Sequence, residues 1–179
     1  MLQRLINDHK HIGILVSLLE KKCMRLADGE AVNFNLIRDI LEYMQVYVEH
    51  SHHPLEEIIY EYYLNKVSAA VETEQLAAEH KRLFEASSVL MASLNLILSD
   101  VVVARDKLIA DLQNYVALQR RHMAFEETEI FPLFSEHLNA QDWADISASS
   151  MQRLVDDPLF SDNDKQVFEE LRDYLLNAE

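Results

Sequence analysis

The sequence predicts an all-α fold: a four-helix bundle of up-down-up-down topology with two short C-terminal helices. Three observations carry this. Gly occurs twice and Pro three times in 179 residues, too few for the frequent turns of a β-sandwich or barrel. Apolar residues recur at helical spacing along four long stretches. The polar residues of the first two stretches return in the same order in the last two, as if one helical hairpin were used twice.

The elements follow in order. The first helix spans Leu2 to Leu26, with Leu5, Ile12, Leu15, Val16 and Leu19 among its apolar positions. Asp28, Gly29 and Asn33 punctuate its end. A second helix runs from Phe34 to about Leu64 with Asn33 as N-cap. A third spans Thr73 to Leu98, Ser99-Asp100 mark a turn, and a fourth runs from Val101 to Phe134. Short connections make successive helices antiparallel. Asn139 caps a short helix through Trp143 to Leu154, and Asp156-Asp157-Pro158 breaks the chain. Ser161 caps a last helix to about Leu176, with Val167, Phe168, Leu171 and Leu175 on its apolar face. Residues 1–138 thus read as the bundle and 139–179 as a helical extension packed on it.

Composition narrows the function. Apolar residues make up 49%, and the formal charge is −15. Such a surface repels phosphate backbones and anionic lipid, so neither nucleic acid nor membrane is an expected partner. It keeps the protein soluble and concentrates cations. Gly13 and Gly29 are the only glycines, which excludes a glycine-rich phosphate loop. Cys23 is the only cysteine, so there is neither an internal disulfide nor a Cys-based zinc site. The most apolar stretch, Ala86 to Ala104, is interrupted by Asn95 and Asp100 and reads as a buried helix flank. The charged N-terminus does not resemble a secretory signal, and the cytoplasm is the expected location.

Four of the eight histidines form the repeat. Asp8-His9-Lys10 in the first helix returns as Glu79-His80-Lys81 in the third. His52-x-x-x-Glu56-Glu57 in the second returns as His122-x-x-x-Glu126-Glu127 in the fourth. His9 and His52 are 43 positions apart, and His80 and His122 are 42. Residues i and i+4 project from one helix face, so each His-x-x-x-Glu pair can present a nitrogen and an oxygen to one point. An antiparallel bundle brings all four helices to one level. Four imidazoles and two carboxylates would then converge in the core, where unmatched polar groups are costly. Two cations bridged by the carboxylates satisfy them. Imidazole with carboxylate favours iron, manganese or zinc over calcium or magnesium, and iron suits an open dinuclear site best. One His-x-x-x-Glu pair alone is an ordinary helix-surface pair. Two, each preceded by a histidine at matching distance, mark a site.

Other polar residues rank lower. His53 and Glu57 are also four apart and could be a displaced ligand pair. Their copies are Met123 and Glu127, which favours surface roles or roles beside the ligands. His11 and His50 read as surface residues. His137 reads as a dipole contact at a helix C-terminus. Tyr115 lies on the His122 face and reads as core packing, with a hydrogen bond at the site as the alternative. Pro54 lacks an N–H and biases His53 away from the α region, so the second helix kinks or restarts there.

At these residues the chain resembles the hemerythrin-like (HHE cation-binding) family. The resemblance covers about Leu2 to His137. It is carried by Asn7-Asp8-His9, His52-His53-Pro54-Leu55-Glu56-Glu57, Glu79-His80 and His122-Met123-Ala124-Phe125-Glu126-Glu127, followed by Ile130-Phe131-Pro132. It implies a non-haem site of two iron ions, with His9, His52, His80 and His122 as terminal ligands and Glu56 and Glu126 as bridges. Zinc or manganese are the substitutes. Oxygen-carrying members have a further histidine one turn after the third-helix ligand, where this chain has Phe84. They also place the last bridging carboxylate five residues after the fourth-helix histidine, which here is Glu127. Symmetry with Glu56 selects Glu126, with Glu127 as the alternative.

The expected function is to bind, sense or scavenge a small diatomic or peroxide: oxygen, nitric oxide or hydrogen peroxide. No residue is assigned as catalytic. The alternatives are a di-iron oxidase or nitric-oxide reductase drawing on an external electron donor, iron handling or storage, and a structural zinc bundle.

Overall fold

Four apolar stripes can be buried only against one another, and in the computed structural model of the chain they meet as a bundle. It describes residues 1–67, 73–151, 154–161 and 168–177, and the side chains of all of these except 73–75. The first helix is α1 (Leu2–Ala27). The second is continuous but changes pitch: α2 (Phe34–Tyr43), a π-helical segment π1 (Met44–His52) and α3 (His53–Val67). The third is α4 (Thr73–Leu98). The fourth comprises α5 (Arg105–Phe125), π2 (Glu126–Ile130) and α6 (Phe131–His137). Two short helices follow, α7 (Ala140–Ser150) and α8 (Glu169–Leu176). No strand occurs among the described residues. Helix α5 packs on α1 and α4, and α2 packs on α4 and α1.

The helix ends have local causes. Gly29 takes φ +87° after α1, and the Glu30 N–H donates back to the Arg25 carbonyl at 3.0 Å, closing the helix by a left-handed C-terminal turn. Asp100 does the same after α4 with φ 60°, and Val101 N–H donates to Leu96 at 2.9 Å. Asn33 caps α2 by accepting the Leu36 N–H at 3.2 Å. The fourth helix begins at Arg105 and not at the expected Val101, because Ala104 is extended with ψ 121°. Three successive valines lead out of the Asp100 turn, and β-branched residues gain little from starting a helix.

Pro54 neither breaks the second helix nor expels His53 from the α region: His53 has φ −58° and ψ −43°. The π segment explains this. Its hydrogen bonds reach one residue further back, as His53 N–H to Val48 O shows. The wider turn relieves the clash between a proline ring and the preceding turn. The second π segment likewise precedes Pro132, with Phe131 N–H donating to Glu126 O.

The core has two apolar parts. One gathers Ile12, Leu19, Ile37, Tyr43, Leu90, Leu112 and their neighbours. The other gathers Leu5, Leu55, Ile59, Ile130 and Phe134. Between Leu5 and Ile12 on α1 lies His9, and between Val48 and Leu55 on the second helix lies His52, so a buried polar layer separates the two parts.

The C-terminal residues lie against this frame. Asn139 accepts the N–H groups of Gln141 and Asp142, and Asp142 accepts the Asn139 N–H at 2.7 Å, a reciprocal cap. Asp142 also accepts from Lys66 and Tyr62 of α3. Helix α7 stops at Ser150, short of the expected Leu154. The expected Ser161 cap would act on residues 162–167, which with Val167 lie outside the described residues. Helix α8 rests on α2 with Leu171 fully buried. His11 is not a free surface residue: it stacks on Phe160 at 3.9 Å and pairs with Asp157 at 3.1 Å. Tyr43 also donates to Asp157, at 3.0 Å. Among the described residues no helix is long and apolar enough to cross a membrane.

Candidate metal centre

The six residues selected by the repeat, His9, His52, Glu56, His80, His122 and Glu126, all lie in the buried polar layer. Helix α1 supplies His9 and α4 supplies His80. His52 closes π1 and Glu56 lies in the first turn of α3, 3.3 Å apart across the i, i+4 spacing. His122 lies in the last turn of α5 and Glu126 opens π2, with the corresponding distance 3.2 Å. Both His-x-x-x-Glu pairs therefore survive the change of helical pitch beside them.

The two carboxylates divide their oxygens between two sets of nitrogens. Glu56 Oε1 lies 3.3 Å from His52 Nε2 and 3.6 Å from His9 Nε2, while Oε2 lies 3.4 Å from His80 Nε2. Glu126 Oε2 lies 3.2 Å from His9 Nε2, while Oε1 lies 3.2 Å from His122 Nε2 and 3.6 Å from His80 Nε2. Two positions result. One is faced by His9, His52 and an oxygen of each glutamate, the other by His80, His122 and the remaining oxygens.

These atoms converge as close His–Glu contacts without aligned hydrogen bonds. His9, His80 and His122 Nε2 and all four oxygens of Glu56 and Glu126 are buried with no aligned hydrogen-bond partner. Leaving a buried polar atom unsatisfied costs about 1–3 kcal/mol, more if charged. Seven at one level need cations, either metal ions or protons. The donor set of imidazole and carboxylate suits iron, manganese or zinc, so the residues fit a dinuclear metal centre.

The far nitrogen of each histidine is held by an acid. His9 Nδ1 lies 2.9 Å from Glu127, His52 Nδ1 3.1 Å from Asp8, His80 Nδ1 3.0 Å from Glu57 and His122 Nδ1 3.1 Å from Glu79. An ionised carboxylate only accepts, so each Nδ1 donates and each Nε2 is aimed at the centre. The acids obey the hairpin repeat: Asp8 corresponds to Glu79 and Glu57 to Glu127. Their signal was in the sequence as the acid before each first histidine and the doubled glutamates. Glu127 is 53% exposed on its side chain, whereas Glu126 is buried. The geometry thus puts Glu126 between the histidines and Glu127 behind His9. Tyr47 donates to the other oxygen of Asp8 at 3.0 Å.

Without metal, protons do the cations' work. Burial opposes the charged form of His9, but the facing Glu126 and Glu56 outweigh it and push its pKa up to about 10. The same balance takes His52 up to about 9, with Glu56 and Asp8 as the opposing acids. His80 goes up to about 11, against burial, through Glu126, Glu56 and Glu57. Burial would raise Glu56, yet His52, His80 and His9 hold it well below the usual carboxylate range.

His53 takes the second of its two expected places, beside the ligands and not on the surface. It is only 5% exposed and stacks on His80 at 3.9 Å. Phe84, at the position where oxygen carriers have a histidine, is 52% exposed and far from filling that role. Tyr115 is core packing: its hydroxyl accepts from Gln119 at 3.1 Å. His137, in the last turn of α6, stacks on Tyr63, and His50 is exposed.

Comparison with known proteins agrees with this arrangement. The family model of the hemerythrin HHE cation binding domain matches residues 1–134. Neither the curated proteins nor the solved structures give a significant match. With a matching model over most of its length, the chain belongs to the hemerythrin HHE cation-binding domain family.

Proposed function

We propose that this protein holds two iron ions in the polar layer and uses them to bind a small diatomic or peroxide. The reading rests on one observation: seven buried nitrogen and oxygen atoms that face common points with no aligned hydrogen-bond partner. His9 and His52 would hold one ion and His80 and His122 the other, with Glu56 and Glu126 shared. Such a pair supplies a redox-active centre that can exchange electrons with oxygen, nitric oxide or peroxide.

The chain's own residues shape what reaches that centre. The apolar parts of the core on either side exclude bulk water and favour small neutral molecules. Asp8, Glu57, Glu79 and Glu127 fix the four imidazoles by holding their Nδ1 hydrogens, so the Nε2 lone pairs point inward. A hollow of about 250 Å³ lined by Glu49, His53, Pro54, Glu57, His80 and Phe84 lies beside the second position. Repeated turnover would draw on a separate electron donor, and the acidic surface serves solubility.

The test is anaerobic reconstitution of the full chain with ferrous iron. Metal content is read by mass spectrometry, and absorption spectra are taken before and after nitric oxide or oxygen. Two irons per chain and a ligand-dependent spectrum are expected. A chain that binds no iron, or a loaded chain whose spectrum ignores every one of these gases, would sink the proposal.

A further inference from the structure

The repeat makes the two positions equal, but the structure does not. His53 offers a ring nitrogen that lies, with donor atoms of Glu56, His80 and His122, in a group all within 4.8 Å of one another. Two nitrogens on one ion, each at about 2.1 Å, can be no more than about 4.2 Å apart, so this group is close to what a shared ion requires. Among the described residues the other group, His9, His52, Glu56 and Glu126, holds two histidines where this one holds three.

His53 is also built differently from the four repeat histidines. Each of those has its Nδ1 tied to a carboxylate. Among the described residues His53 has only ring contacts: stacked on His80 at 3.9 Å, edge-on to His122 at 5.5 Å and tilted against His52 at 5.7 Å. Its copy in the repeat is Met123, a thioether whose methyl lies 3.8 Å from where a side chain on Gly13 would begin. The helix pitch narrows the angle between the two adjacent histidines. In an α-helix neighbours diverge by about 100°, but the wider π turn that ends at His52 rotates less per residue.

We infer that His53 is a third imidazole ligand of the His80–His122 position, so that the two metals are unequal: three histidines on one and two on the other. The inference rests on the dinuclear reading above. It leaves the His9–His52 position the more open of the two. It also supplies from the start of α3 the imidazole that Phe84 on α4 does not.

The test titrates the metal-free full chain with cobalt(II), read by visible absorption and by metal content. The wild type should bind two cobalt ions in two resolved steps. His53→Phe keeps a ring for the stack and removes the nitrogen. It should weaken one step by at least about tenfold and change the ligand-field bands of that ion alone. His53→Ala should do the same, and added imidazole should restore the lost bands in it, a rescue that a packing role would not give. A folded His53→Phe or His53→Ala chain that binds both ions with wild-type steps and bands would overturn the inference and leave the dinuclear reading intact. A wild type that binds no cobalt and no iron would overturn both.

Discussion

At the scale of single residues, the centre is a contest between protons and metals. His9, His52 and His80 have pKa values raised to about 10, 9 and 11. At pH 7 the metal-free chain therefore carries protons where metal would bind, and loading must release them. Apparent metal affinity should rise with pH up to that range and fall in acid. Calorimetric titration at pH 7 in buffers of different ionisation enthalpy should show net proton release; none would mean the imidazoles are already neutral. The sign for stability runs the other way. The raised histidines stabilise the metal-free fold fully below pH 6.5 and lose that contribution as pH climbs through about 9 to 11. Glu56, held low, contributes above the ordinary carboxylate value and loses its contribution as pH falls through its own. Glu57 and Glu127 play equivalent parts behind His80 and His9. Glu57→Gln and Glu127→Gln should each weaken one metal by about 10–100-fold. Unchanged titration curves for both would show that the acids do not orient the rings.

At the scale of elements, the caps and the π segments matter most. Asn33 satisfies an orphan donor of α2, and Asn33→Ala should cost about 1 kcal/mol in a urea melt. Asp100 holds a left-handed conformation that glycine adopts without strain. Asp100→Gly should therefore raise stability by about 0.5–1 kcal/mol, and a loss would mean the aspartate side chain itself supports the turn. Each π segment borders a ligand: π1 ends on His52 and π2 begins at Glu126. The widened turns also accommodate Pro54 and Pro132. Composition signals the prolines but not this response to them, because π geometry depends on what the neighbouring helices leave room for.

At the scale of the whole molecule, a polar layer lies across an otherwise apolar bundle, and burying it is favourable only with cations present. Metal that binds the folded chain alone stabilises it by about 2.7 kcal/mol at a concentration 100 times the Kd. For a chain of this size that is a rise in Tm of roughly 5–10 °C. Thermal melts with and without a chelator should differ by that much, and coincident melts would mean that the layer is satisfied by protons alone. The C-terminal residues close one side of the same frame. Arg4 donates to the Val155 carbonyl, and Asp157 gathers His11 and Tyr43 from two bundle helices.

The sequence by itself determined the four helices, their antiparallel order and the six residues of the polar layer. Periodicity is local, and an internal repeat displays equivalent positions without any knowledge of contacts. Even the caps at Asn33 and Asn139 were legible, because capping chemistry acts within four residues. Only the tertiary structure decided which oxygen of each glutamate faces which histidine, that Glu126 and not Glu127 lies inside, and that each ring is held by an acid from another helix. It alone turned His53 inward and tied His11 to Asp157, 146 residues away. Those outcomes depend on side chains brought together across helices and on the pitch of the π turns, and neither is written in the spacing of one segment.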